Sequence, residues 1–244
     1  MIEKEALDTT VQLCGLGIWT DPEVLSYCRE RGIADSTIRE WGLGAFPEDP
    51  NQLFALSSKI NTPKMFSGSI LRLIDGYFES SFLKNRLIIP VNDPYGVPIA
   101  IMGRTTLSQE VVKQHDFPKY YNTHYNKTRS LFGLDRAIST VLRTGEIILV
   151  EGNVDVIMAH QHGLKNVVAT SSSNISSHQI SLAARYAERI YLALDGDEAG
   201  RAGIQRALEK YGAAAKQLGI TIAPLHISGG KDLDEALRAG GIRW

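Results

Sequence analysis

Cysteine is nearly missing from this chain of 244 residues: Cys14 and Cys28 are its two. They form no C-x-x-C pair, and no second pair is present to complete a tetrahedral ligand set, so no zinc site is expected. Both are read as small apolar core residues. Long apolar runs are missing as well. Although 43% of the residues are hydrophobic, no run approaches the ~20 residues needed to cross a bilayer. The opening MIEKEALDTT lacks a basic region followed by an apolar stretch, which predicts no signal peptide and a cytoplasmic protein with no membrane partner. Internal repeats and long linkers are absent too, and the length suits one or two domains. Net charge is −1, which argues against a protein that coats nucleic acid with a uniformly basic surface.

The charge that is present has a pattern. Residues 1–81 hold seven Lys/Arg and twelve Asp/Glu, a balance of −5, whereas residues 82–136 hold eight and four, a balance of +4. The basic stretch contains Tyr120, Tyr121, Tyr125 and Phe132, and cations among aromatics suit a phosphate backbone with unstacked bases. An ordinary solvated basic face has the same composition.

Along the chain, residues 1–60 read as helical. PEVLSYCRERGI places Val24, Leu25, Tyr27 and Cys28 near one face and stops at Gly32; Asp35 is expected to cap STIREWG, which stops at Gly42. RLIIPVND and VPIAIMGR, joined by Asp93-Pro94-Tyr95-Gly96, predict a two-stranded hairpin. From residue 146 strands alternate with helices: EIILVEG, NVVAT, RIYLALDGD and TIAPLHI against VDVIMAHQHG, SSHQISLAARYAE and EAGRAGIQRALEKYG. Ser176 or Ser177 is expected to cap the second of these helices. Near-continuous apolar strands between helices imply a mainly parallel sheet flanked by helices, with the strand C-terminal ends gathered on one edge.

Acids fall at those ends: Glu151 after IILV, Asp195 and Asp197 after YLAL, and Asp232 and Asp234 after PLHI. Carboxylates a few Å apart repel by roughly 1–4 kcal/mol per pair, so such a cluster is tolerable where divalent cations sit in it. Hard Mg²⁺ or Mn²⁺ suits carboxylate oxygens, with waters and substrate phosphates as the other ligands. Gly152 and Gly196 leave room for a phosphate or a metal to approach the backbone. An EF-hand reading of Asp-Gly-Asp fails, because Ala199 occupies the third ligand position and a strand precedes it. His160, His162, His178 and His226 have no ligand spacing and read as surface or helix-packing residues.

The ordered set EGNVD, LDGDEAGR and GGKDLDEAL resembles the TOPRIM domain, found in DnaG-type primases, topoisomerases, RecR-like proteins and some nucleases. Upstream, RLIIPVNDPYGVPIAIMGRT and PKYYNTHYNKTRSLFGLDRA are similar to the basic half of the bacterial or phage DnaG-type primase RNA-polymerase core, and RGIADSTIREWGLGAF to its N-terminal helices. The resemblance implies an α/β fold: a TOPRIM subdomain over 145–244, preceded by a mixed α+β basic subdomain over 1–144. Position by position, Glu151, Asp195, Asp197 and Asp232 match the acidic metal site, Asp234 is a further candidate ligand, and Asp155 and Lys231 are supporting residues. Arg86, Arg104, Lys119, Tyr120, Asn122 and Lys127 match positions implicated in template or nucleotide contact. Two departures stand out. Thr170-Ser171-Ser172-Ser173 replaces a Leu-Gly-Thr turn, and Leu233 replaces a proline.

What the resemblance implies is template-directed synthesis of short RNA primers on single-stranded DNA from ribonucleoside triphosphates, by Mg²⁺- or Mn²⁺-dependent nucleotidyl transfer. Glu151 is implied either as a ligand or as a general base. A zinc module and a helicase contact serve the family in template recognition and local concentration. A replicative helicase, a zinc-module protein, or both are therefore expected partners in trans, in a bacterial cytoplasm or in the host's if the chain is phage-encoded. Two alternatives stay open: a TOPRIM-type nuclease, and a catalytically idle module that grips single strands or scaffolds a replication complex.

Overall fold

The structure, a computed structural model, describes residues 4–46, 72–74, 77–79, 83–225 and 233–238. Backbone packing divides the chain into two units, residues 1–92 with 97–125, and residues 93–96 with 126–244.

The first unit opens with α1 (Lys4–Gly17), α2 (Pro22–Glu30) and α3 (Asp35–Trp41). Asp21 caps α2, its Oδ1 accepting from the amides of Glu23 and Val24 at 3.1 and 3.0 Å, and Val24 and Cys28 are buried beneath the helix. The expected cap of α3 is displaced by one residue. Ala34 occupies the N-cap without a side-chain bond, and Asp35 sits in the first turn, where its charge still opposes the helix dipole. Gly42 closes α3 in the left-handed region, φ +61°.

An antiparallel sheet follows, in the order β1 (Gly44–Ala45), β4 (Arg86–Asn92), β5 (Pro98–Thr105), β6 (Tyr120–Asn122). β4 and β5 form the expected hairpin, turning at Asp93–Gly96, where the amide of Gly96 donates to Asp93 O at 3.0 Å. A short pair, β2 (Arg72–Ile74) and β3 (Tyr77–Glu79), precedes it, and α4 (Gln109–Gln114) bridges β5 to β6. Leu7, Cys14, Phe46, Leu83, Ile88 and Ile101 make one apolar core, in which burial pushes the Cys14 thiol far up. Cys28 is pushed up to about 12 by burial and by nearby Asp35. Both cysteines are unreactive core thiols.

The second unit runs from a 3₁₀ turn (Lys127–Arg129) through α5 (Leu134–Thr144), β7 (Glu146–Val150), α6 (Asn153–Gln161), β8 (Val167–Ala169), α7 (Ser177–Ala183), β9 (Arg189–Leu192), α8 (Glu198–Gln217), β10 (Thr221–Pro224) and α9 (Leu233–Arg238). Among the described residues its strands are all parallel, in the order β10-β9-β7-β8. Residues Ile147, Leu149, Val168, Ile190 and Leu192 are fully buried, which explains why these strands read as apolar runs rather than alternations. The dividing line falls between Tyr125 and Asn126, upstream of 144/145, because α5 turns Leu134, Ala137 and Val141 into this unit's core. Among the described residues no helix is long and apolar enough to cross a membrane.

Candidate active site

β7 leads through α6 to β8 on one side, and the chain then returns to place β9 on the other side of β7. The C-terminal ends of β7 and β9 therefore flank the point where the winding reverses, where a crevice opens in parallel sheets. Glu151 follows β7 and Asp195 and Asp197 follow β9, so residues separated by more than forty positions meet. Glu151 accepts a hydrogen bond from the Asp195 amide, yet its carboxyl is pushed up to about 7, first by burial and then by the charges of Asp195 and Asp197. Its Oε1 is shielded from solvent and has no hydrogen-bond partner.

Local chemistry places the neighbours. Asp197 caps α8, its Oδ1 accepting from the Gly200 amide at 2.8 Å, and Arg201 Nη1 donates to the Gly196 carbonyl. Gly200 packs so tightly on the Asp195 backbone that a Cβ would collide with it, and Gly203 is pressed likewise on the Ser173 carbonyl. Gly152 precedes α6, where the buried Asp155 carboxylate occupies the space of a side chain. Asp234 is buried in the first turn of α9, which packs on α6, and Leu233 is buried beside it. Asp232 and Lys231 lie outside the described residues.

The serine-rich turn takes the glycine-like shape without glycine. Ser171 adopts φ +58°, and its hydroxyl is 2.8 Å from Asn153 Oδ1, an attachment that offsets left-handed strain of about 1 kcal/mol. Gln179 was not singled out by sequence. It is buried in α7, in a capping box with Ser176, and its Nε2 faces the carbonyls of Lys127, Ser130 and Thr170 at 3.1, 3.0 and 2.9 Å. The S-x-x-Q spacing at 176–179 is the signal that could have found it. His160 is buried with Nε2 2.9 Å from the Val167 carbonyl, a packing histidine; His162 and His178 are exposed, and His226 lies outside the described residues.

The basic candidates divide between the units. Arg86, Arg104, Lys119, Tyr120 and Asn122 belong to the first, and Lys127 to the second, at the start of the 3₁₀ turn. Across the β5–β6 ladder Arg104 faces Tyr120 and Met102 faces Asn122. Arg86 Nη1 donates to the Pro118 carbonyl at 2.9 Å, anchoring the segment that presents Lys119, and its guanidinium lies over Tyr121. Lys119 is exposed, Tyr120 and Asn122 are half-buried, and Asn122 Oδ1 is shielded without a hydrogen-bond partner. Arg104 is buried.

Among the described residues no three His, Cys, Asp or Glu side chains converge as a metal cage. The donor set nonetheless fits a hard divalent cation. Mg²⁺ asks for one or two carboxylates and keeps its other positions for water and phosphate, and a buried, unpaired carboxylate oxygen beside two more acids is what such an ion would neutralise.

A parallel sheet with acids at its winding reversal, in a chain that also holds an antiparallel sheet bearing Arg86, Arg104 and Tyr120, has the arrangement of a Toprim-class fold. Residues 148–237 match the Toprim-like family model, and residues 18–138 match the DNA primase catalytic core, N-terminal domain. A DNA primase of Synechococcus elongatus is 32% identical over 229 residues, covering 88% of this chain and 31% of the relative. A DNA primase domain from Pseudomonas aeruginosa, solved by crystallography, is 32% identical with a TM-score of 0.72, covering 89% of this chain and 68% of that one. A DnaG primase catalytic domain bound to single-stranded DNA shares the fold, with a TM-score of 0.80 at 23% identity and coverage of 98% and 77%. The chain belongs to the DNA primase family, as a DnaG-type catalytic core with its Toprim module. It spans about a third of the length of the curated relatives it matches. Divalent-metal use is general in this family.

Proposed function

We propose that this chain polymerises ribonucleotides on a single-stranded DNA template, making RNA primers. The observation that carries the reading is Glu151, whose buried carboxylate oxygen is left unpaired beside Asp195 and Asp197 at the winding reversal of the sheet. The reaction joins a 3′-hydroxyl oxygen to the α-phosphorus of an incoming ribonucleoside triphosphate; the hydroxyl proton is lost and pyrophosphate leaves. Glu151, Asp195, Asp197, Asp232 and Asp234 are the residues that would hold Mg²⁺ or Mn²⁺, which supplies a lowered pKa for the attacking hydroxyl and neutralises phosphate charge. Alternatively, Glu151 is the general base that accepts that proton. Asp155 packs against Gly152, the residue that follows Glu151. Lys231 is the cation of the segment that bears Asp232.

Lys119 and Lys127 serve as phosphate contacts, Tyr120 as a stacking platform, and Asn122 as an acceptor for a nucleotide donor. Arg86 holds the Pro118–Lys119 backbone in place. The similar DnaG domain bound to single-stranded DNA supports that template class. A replicative helicase or zinc-module protein would act in trans by raising local concentration, and the enzyme would work in the cytoplasm.

The test is RNA synthesis from labelled ribonucleotides on a single-stranded template with Mg²⁺ or Mn²⁺. Asp195→Asn and Asp197→Asn should each lower turnover on the order of a thousandfold, since metal charge stabilisation is worth several kcal/mol. Asn is as good an N-cap as Asp, so Asp197→Asn keeps α8 intact while removing charge. Folded variants with undiminished turnover would refute the assignment.

A further inference from the structure

Five side chains of the first unit stand in file, cations alternating with rings. Arg31 Cζ is 5.6 Å from the Tyr27 ring centre and Arg104 Cζ is 5.8 Å from it. Arg104 Cζ is also 5.3 Å from the Tyr120 ring centre, and Lys119 Nζ is 5.9 Å from that same ring. Arg104 is 7% exposed, and its Nη1 donates to Tyr120 Oη at 2.5 Å. A guanidinium enclosed between two rings and bonded to a phenol is poorly placed to reach a phosphate in solvent. It is well placed to hold a ring still.

We infer that Tyr27 and Arg104 are positioning residues: Tyr27, on α2, fixes Arg104, and Arg104 fixes the ring of Tyr120 and with it Lys119, without either touching nucleic acid. The inference rests on the proposed nucleic-acid-binding role of Tyr120 and Lys119. Its physical basis is pre-organisation, because a ring already held in its bound orientation loses less rotamer freedom on binding. Tyr27 is itself placed by the Asp21 cap and by the burial of Val24 and Cys28 on the same helix. Charge–ring contacts at partly desolvated sites are strong enough to carry such a coupling.

The experiment is binding of a fluorescent single-stranded oligonucleotide to the whole chain, followed by anisotropy across a range of salt. Tyr27→Leu and Arg104→Gln should each weaken binding on the order of fivefold, the size of one lost charge–ring contact. Neither should change the slope of log affinity against log salt, because no phosphate contact is lost. The double variant should bind no worse than Arg104→Gln alone, and Tyr27→Phe, which keeps the ring, should bind as the unaltered protein does. Arg104→Lys keeps the charge without the planar fork and should lose affinity like Arg104→Gln, which decides the matter if Tyr27→Leu does not fold. A slope reduced by about 0.7 in Arg104→Gln would make Arg104 a direct phosphate ligand and overturn the inference. Additive losses in the double variant, or undiminished binding by Arg104→Lys, would overturn it too. Lys119→Ala separates the two failures. If it changes neither affinity nor slope, the proposed binding edge is wrong and the inference falls with it; if it lowers the slope while Arg104→Gln does likewise, the inference alone falls.

Discussion

Glu151 is where the chemistry of a single residue can be read through stability. Its carboxyl is held near 7 in the folded chain against an ordinary value of 4.5. On raising the pH the unfolded chain loses this proton first, so through the window from about 4.5 to 7 the folded state binds more protons and stability falls. In the presence of a chelator, Glu151→Gln should therefore melt above the unaltered protein at pH 8, with the gap closing near pH 4, where the glutamate is protonated in both states. Adding Mg²⁺ at pH 8 should raise the melting temperature of the unaltered protein and move the Gln variant less, by mass action on a folded-state site. A gap that widens toward low pH would mean that Glu151 is stabilised, not strained, by its neighbours. Asp197 shows the opposite arrangement. One of its oxygens is occupied by a helix cap, so its position is fixed by local structure before any ligand arrives.

The element that most constrains the acids is α8. Its first two turns lie against the backbone of Asp195 at Gly200 and against the serine turn at Gly203, so the helix, the acid and the turn share one seating. In a free helix Gly→Ala stabilises by about 1 kcal/mol. Here Gly200→Ala should instead destabilise by about 1–3 kcal/mol and depress RNA synthesis, since the new methyl must push the Asp195 backbone aside. Thermal melts and primer-extension rates check both halves; a variant that is more stable and fully active would show that the contact relaxes at no cost. α7 does comparable work elsewhere. Gln179 saturates carbonyls of the 127–130 turn, which orients the backbone bearing Lys127 although α7 itself carries no basic candidate.

Across the whole molecule the charge is arranged rather than accumulated. A net charge of −1 conceals a stretch, residues 82–136, that carries +4. Binding should accordingly depend on a few defined phosphate contacts. Lys119→Ala and Lys127→Ala should each reduce the salt slope by about 0.7, and the double variant by about 1.4, because counterion release counts contacts and not total charge. An unchanged slope in the double variant would mean that the basic residues face away from the template.

The apolar strands of 146–224, the hairpin turning at Asp93–Gly96 and the glycine that ends α3 were all legible in the sequence, because periodicity and turn chemistry act over a few residues. So was the order of the acids along the chain. Asp35 misled by one position, since first-turn acids and N-caps have similar local signatures and only backbone angles separate them. What the sequence could not decide is what surrounds each side chain. Arg104 is one basic residue among several until tertiary packing encloses it with Tyr27, from a helix more than seventy residues away. Glu151 is a commonplace Glu-Gly until the reversal of the sheet sets it beside Asp195 and Asp197. Burial and the meeting of distant charges are long-range properties of the folded chain, whereas propensity is short-range; that difference in range divides what the sequence determined from what the tertiary structure alone decided.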